Sequence, residues 1–167
     1  ETSPSSTSME TRYGACWSGS RSSIARDSSA SAAAMMSAGA ACAVVQHEGA
    51  RFRIIGTHLD LSGLRRRAQV RALLKFVSDC EGDCPTVIAG DFNQWGRQTG
   101  AMREFAQGWH IVTPGRSYPS RQPVATLDRI VASTHWNVVS SDVHHTALST
   151  VASDHLPVKA VLSLIKK

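Results

Sequence analysis

Aspartate 128 stands inside the apolar, β-prone run Leu127-Asp128-Arg129-Ile130-Val131. A carboxylate in such a run is buried or half-buried on folding, and a buried charge must be partnered. The fold therefore has to supply this strand with a polar companion. Other short strands surround it in the sequence. Cys42–His47 and Arg51–Thr57 read as a hairpin about Glu48-Gly49. Thr86–Gly90 reads as a buried strand, and Thr126–Ser133, Asn137–Ser141 and Val158–Ile165 as further strands. Leu64, Val70, Leu73, Leu74 and Val77 recur at helical spacing and predict a helix over Leu64–Ser78. Met102–Gln107 reads as a short helix and Gly115–Val124 as a turn-rich loop with two prolines. Strands with few helices between them predict sheet packed on sheet, with helices outside.

The 167 residues suit one domain with a real core. No apolar run approaches the roughly 20 residues of a membrane span, and no signal-peptide pattern opens the sequence. Residues 1–41 form a Ser/Ala-rich, poorly patterned segment: 12 serines and 8 alanines fall in the first 40 positions. Within it, Ala30–Ala41 reads as a marginal helix. The domain proper is read as residues 42–167. The balance of 18 Lys+Arg against 13 Asp+Glu gives a formal charge of +5, all of it in residues 41–167. Such an excess suits an anionic partner, nucleic acid included, as well as it suits solubility. Arg67, Arg71 and Lys75 line one helix face, which reads as a solvated stripe before it reads as a phosphate track. Cys80 and Cys84 have no second pair at zinc spacing, and cysteine usage leans toward a reducing compartment.

Three polar clusters join Asp128 at the ends of expected strands: Thr57-His58-Leu59, Gly90-Asp91-Phe92-Asn93 and Ser153-Asp154-His155-Leu156-Pro157. Catalytic groups gather where rigid strands open into loops. Each cluster has a plainer reading. A histidine after a strand is usually a packed or surface residue, Asp91 could be only a turn former, and Asp154 only a loop cap. Their order and wording together carry more than any one alone.

In that order and wording the chain resembles the endonuclease/exonuclease/phosphatase superfamily. Ser117-Tyr118-Pro119-Ser120 adds to the resemblance, because a similar loop precedes the Leu-Asp-Arg-Ile strand in many bacterial members. The resemblance implies an α/β fold: a four-layer α/β sandwich of two mixed β-sheets face to face, with helices outside. It also implies Mg²⁺-dependent (or Mn²⁺-dependent) hydrolysis of a phosphate ester. Asp154 is then a metal-linked carboxylate. His155 acts on the phosphate or the attacking water and is oriented by Asp128. Asp91 and Asn93 position and activate the water and hold the phosphate, and His58 contacts phosphoryl oxygens. The residue types suit the task. Cationic and donor groups offset charge building on phosphoryl oxygens, and a hard cation takes a few oxygen ligands with waters.

The sequence departs from the family's pattern at its N-terminal side, where it reads as truncated or disrupted. The family's metal-binding Glu and Asn strands are not recognisable. Glu1, Glu10 and Glu48 are the weak replacements, and a shifted reading frame over residues 14–41 would account for the broken pattern. A rival from another class is a catalytically impaired remnant that binds an anionic partner through Arg65–Arg67, Arg71 and Lys75. Trp95 and Trp109 could stack on bases but read first as packing residues. Substrate choice within the family is closed to the sequence.

Overall fold

The computed structural model describes residues 32–33, 39–47, 49–79, 83–96, 98–105 and 107–165. Glu1, Glu10, Glu48 and most of the segment with the expected frame shift lie outside them. The elements run β1 (Ala32–Ala33), β2 (Ala40–His47), β3 (Ala50–His58), α1 (Gly63–Asp79) and β4 (Thr86–Asp91). A 3-10 helix (Gly100–Phe105) follows, then β5 (Trp109–Val112), β6 (Asp128–Ser133), β7 (Trp136–Val143), α2 (Ala147–Ala152) and β8 (Val158–Leu164). One sheet has the order β1-β2-β3-β4-β6-β5, and β7 and β8 pair as a second sheet.

The expected hairpin forms, with β2 and β3 antiparallel from Ala40↔Thr57 to His47↔Ala50 and Gly49 at φ +78° in the turn. Helix α1 crosses from β3 to β4, which lie parallel. Side chains alternate across β3, as a strand requires. Ile55 packs with Val70 and Leu73 of α1, with Phe92 and Phe105, and with Ile88 and Val131 of the same sheet. The opposite face carries Val87, Ala89, Ile130 and Ala132 against Trp136 of β7 and Val158 of β8. Phe52 meets Trp136 edge to face at 5.6 Å. The two sheets thus face each other across one apolar layer, and α1 with the 3-10 helix covers the outer face of the larger sheet. This is the α/β sandwich anticipated above.

Three readings change. Ala32–Ala33 is not helical but pairs antiparallel with Cys42 and Ala43, and β2 already begins at Ala40. A ladder partner outweighs alanine's modest helix preference there. Residues 102–105 belong to a 3-10 helix that starts at Gly100. Strand β5 and helix α2 were not anticipated. The first is only four residues long, and the second rests on a capping box in which Thr146 and Ser149 exchange side-chain and backbone hydrogen bonds.

The basic stripe of α1 is partly compensated by neighbouring carboxylates. Arg67 and Arg71 both bind Glu104 of the 3-10 helix, at 2.5 and 3.0 Å, while Lys75 pairs with Asp79 at 2.7 Å and Arg65 with Asp60 at 3.5 Å. These exposed pairs brace α1 locally, but Arg67 and Arg71 share one carboxylate, so the stripe keeps a positive excess and the rival that would use it to hold an anionic partner stands.

Candidate active site

Strand register assembles the first half of the site. On the face toward the second sheet, His58 lies beside Asp91, and Asp91 opposite Asp128. Three neighbouring strands, β3, β4 and β6, therefore present one row of polar side chains at a single sheet edge. The backbone stitches this edge together. Leu59 N–H donates to Asp91 O at 2.8 Å and Phe92 N–H to Leu127 O at 3.0 Å. Gly90 makes the close approach possible: a Cβ on it would lie 1.8 Å from Thr57 O, and its φ of +148° disfavours any side chain. The buried rings of Phe92 and Phe105, 6.1 Å apart, anchor the turn that follows.

Asn93 turns the chain at φ +50°, a conformation that asparagine tolerates. Its backbone N–H donates to Asp91 Oδ1 at 2.8 Å, and its side-chain Nδ2 donates to Leu59 O at 2.7 Å. Asn93 thus binds the loops after β3 and β4 to each other and fixes the Asp91 carboxylate.

The second half comes from the loop before β8. His155 Nδ1 lies 2.8 Å from Asp128 Oδ2, and its Nε2 lies 3.8 Å from Asp91 Oδ2. His58 Nε2 approaches the same Asp91 oxygen at 3.6 Å from the rim, where its side chain is 74% exposed. The imidazole of His155 therefore sits between two carboxylates, and it is one of the partners that the burial of Asp128 demands. The hydrogen bond to Asp128 lifts the pKa of His155 above its ordinary value, although burial pulls the other way. Burial lifts the Asp91 carboxyl above the usual carboxylate value, and Asp128 adds to the effect. The Asn93 N–H and the two histidines oppose it.

The segment Ser117–Ser120 does more than sequence reading assigned to it. Ser117 Oγ–H donates to Asp128 Oδ2, and Ser117 O accepts from Leu156 N–H at 2.8 Å. Ser120 N–H donates to Asp154 O at 2.7 Å, and its hydroxyl to Ser153 O at 2.6 Å. The ring of Tyr118 lies 4.8 Å from that of His155. Both serines are buried, at 0% and 3% exposure. This loop clamps the His155 loop against β6. Its Ser-Tyr-Pro-Ser wording was the available signal.

Asp154 stands on the exposed side of the same loop, its carboxylate 3.3 Å from Ser153 Oγ. Among the described residues no three His, Cys, Asp or Glu side chains converge as a metal cage. The oxygen-bearing side chains on these loops are those of Asp91, Asn93 and Asp154. Such a set suits a hard cation that keeps several waters and takes one or two carboxylates. Of the two tryptophans, Trp109 packs on Phe105 at 5.8 Å, whereas Trp95, two residues after Asn93, is 68% exposed.

Comparison with known proteins bears on the family and the fold. The chain is 28% identical over 124 residues to the uncharacterized protein YbhP of Escherichia coli, a match that covers 70% of this chain and 48% of YbhP. The chain thus spans about half the length of the curated relatives it matches. A structure of a conserved protein from Enterococcus faecalis superposes with a TM-score of 0.66 at 19% identity, covering 85% of this chain and 67% of that one. The human nocturnin catalytic domain, solved with a bound sulfate anion, superposes with a TM-score of 0.61 at 25% identity, covering 75% and 52%. The sequence profile of the Endonuclease/Exonuclease/phosphatase family matches residues 16–155. With the profile spanning most of the chain, and with the polar row of β3, β4 and β6 meeting His155 across the sandwich, the chain belongs to the endonuclease/exonuclease/phosphatase family.

Proposed function

We propose that this domain hydrolyses phosphate esters, as a phosphodiesterase or nuclease-like enzyme, with Mg²⁺ or Mn²⁺ held at Asp154. The observation that carries the reading is the His155 imidazole fixed at Nδ1 by Asp128 while its Nε2 faces Asp91. With Nδ1–H committed to Asp128, the Nε2–H of the imidazolium is left to donate to a phosphoryl oxygen, where it offsets charge that builds in the transition state. As the water oxygen bonds to phosphorus, Asp91 takes its proton, the ester P–O bond breaks, and the leaving alkoxide is protonated from solvent. The raised proton affinity of Asp91 suits its task better than that of an ordinary surface carboxylate would. Asn93 N–H occupies Asp91 Oδ1, which leaves Oδ2 for the water. His58 adds a donor at the rim, and Asp154 carries the cation. When bound, the cation would supply further neutralisation of the phosphoryl oxygens. A substrate phosphate is in keeping with the sulfate held by the nocturnin domain. Nucleic acid is the substrate class that the basic charge and exposed Trp95 favour, since an indole face can stack on a base.

The test is turnover of plasmid DNA and of a small aryl phosphodiester, with Mg²⁺ and with EDTA, by the 167-residue chain and by His155→Ala. Cation-dependent cleavage reduced roughly 10²- to 10³-fold in the variant is expected for loss of a donor that offsets transition-state charge. Cleavage that persists in His155→Ala refutes the assignment. No cleavage by a folded parent chain would assign it instead to the impaired-remnant reading.

A further inference from the structure

The other end of the large sheet holds a cavity with a buried cation in its wall. Arg53 lies five residues before His58 on β3, roughly 16 Å along the strand from the catalytic row. It is on the opposite face, toward α1. It is 4% exposed. Its guanidinium rests over the Phe76 ring at 5.9 Å and makes one long hydrogen bond, 3.5 Å, to Val77 O. Among the described residues no carboxylate lies within ion-pair distance of it. A buried guanidinium with five donors and one distant acceptor is an incomplete arrangement, because desolvating a charge is costly unless it is paired and hydrogen-bonded.

Arg53 lines a cavity of about 330 Å³ together with Ser78, Thr86, Trp109, Ser133, Thr134 and His135, among others. The acidic residue in the wall, Asp83, is 72% exposed and is engaged by His135 Nε2 at 3.0 Å. Ser133 Oγ accepts from Thr86 N–H and sits 3.0 Å from His135 Nδ1, so the polar floor is ordered. The volume matches a small ligand, and the lining combines one fixed fork of donors with hydroxyls and an indole wall.

We propose that this cavity is a second site, which binds a compact oxyanion of phosphate type on the Arg53 guanidinium. The ligand completes the hydrogen bonding of Arg53; the Ser78 and Thr86 hydroxyls already donate to Lys75 O and Cys84 O, so the guanidinium fork is the main anchor. An organic group attached to the phosphate would lie along Trp109. The site is separate from the catalytic row and stands whether or not that row is active.

The experiment is a titration of the full chain with inorganic phosphate at constant ionic strength, read by the indole N–H resonance of Trp109. The same titration is run with acetate, and with His155→Ala and Arg53→Met. A saturable shift that survives in His155→Ala and is lost or weakened at least tenfold in Arg53→Met is expected. Arg53→Lys, which keeps the charge and loses the fork, serves if the Met variant fails to fold, and should weaken binding several-fold. Absence of a saturable shift overturns the proposal. So does a shift unchanged in the Arg53 variants, or one that disappears in His155→Ala. Acetate binding as tight as phosphate overturns the phosphate assignment.

Discussion

Replacing Asp128 by Asn tests the centre of the site with little change in shape. Asp128 accepts from His155 Nδ1 at 2.8 Å, and both side chains are largely buried, at 12% and 22% exposure, so solvent screens the pair only in part. A hydrogen bond to a charged group is worth about 1.5–3 kcal/mol. The amide loses the charge that favours imidazolium, and its N–H₂ face would turn Nδ1 into an acceptor, which selects the wrong tautomer. Through a step that requires imidazolium, that loss corresponds to roughly a 10- to 150-fold fall in rate. The same bond has a stability signature. The pKa of His155 is raised in the folded chain, so its contribution is full below the ordinary histidine value of 6.5 and is lost as pH rises through the raised value. In Asp128→Asn that pH dependence should vanish. The assay is a proton–nitrogen correlation titration of the His155 ring, beside thermal melts on both sides of that interval. A ring that titrates identically in parent and variant would show that Asp128 does not set its protonation, and would refute the reasoning.

Other outcomes follow from neighbouring residues. Asp91→Asn should abolish turnover yet raise the melting temperature at neutral pH, by roughly 2–4 °C per kcal/mol recovered. Burial raises the Asp91 pKa, so the parent loses stability as pH climbs from 3.8 through the folded value, and the variant's advantage should disappear below 3.8. Equal melts at neutral pH would contradict this. Gly90→Ala must move β3 from β4, because Thr57 O lies 1.8 Å from the new Cβ; a loss of about 3 kcal/mol or more in denaturant melts is expected, and a near-neutral result would refute the close approach. Glu104→Ala frees Arg67 and Arg71 from their shared partner. If those cations only brace α1, KM for plasmid DNA and its salt dependence should not change, whereas a lower KM with a steeper salt slope would make the helix face a phosphate track after all.

The sequence by itself determined which residues are the candidates for chemistry and most of the local structures that carry them. Asp128 announced a partner because a carboxylate cannot sit alone in an apolar strand, and Gly90-Asp91-Phe92-Asn93 announced a tight, anchored turn. The α1 face from Val70 to Val77 and the β2–β3 hairpin were legible for the same reason, since spacing and turn chemistry are local, whereas Leu64, expected on that face, is 85% exposed in the first turn of α1, away from the core. Which partner Asp128 meets was not local. His155 lies 27 residues away and arrives from the other sheet, held there by Ser117 and Ser120, whose role appears only when the loop closes on β6. The alignment of His58, Asp91 and Asp128 in one row depends on strand register, β3 parallel to β4 and β4 antiparallel to β6, which is set by packing on both faces of the sheet. The partial pairing of the basic stripe was likewise tertiary, because Glu104, the carboxylate that Arg67 and Arg71 share, sits on another element. Arg53 gave no local sign that it would be buried. The alternation of β3 fixes only that it shares a face with Ile55, and it is the packing of α1 over that face that withdraws its charge from water.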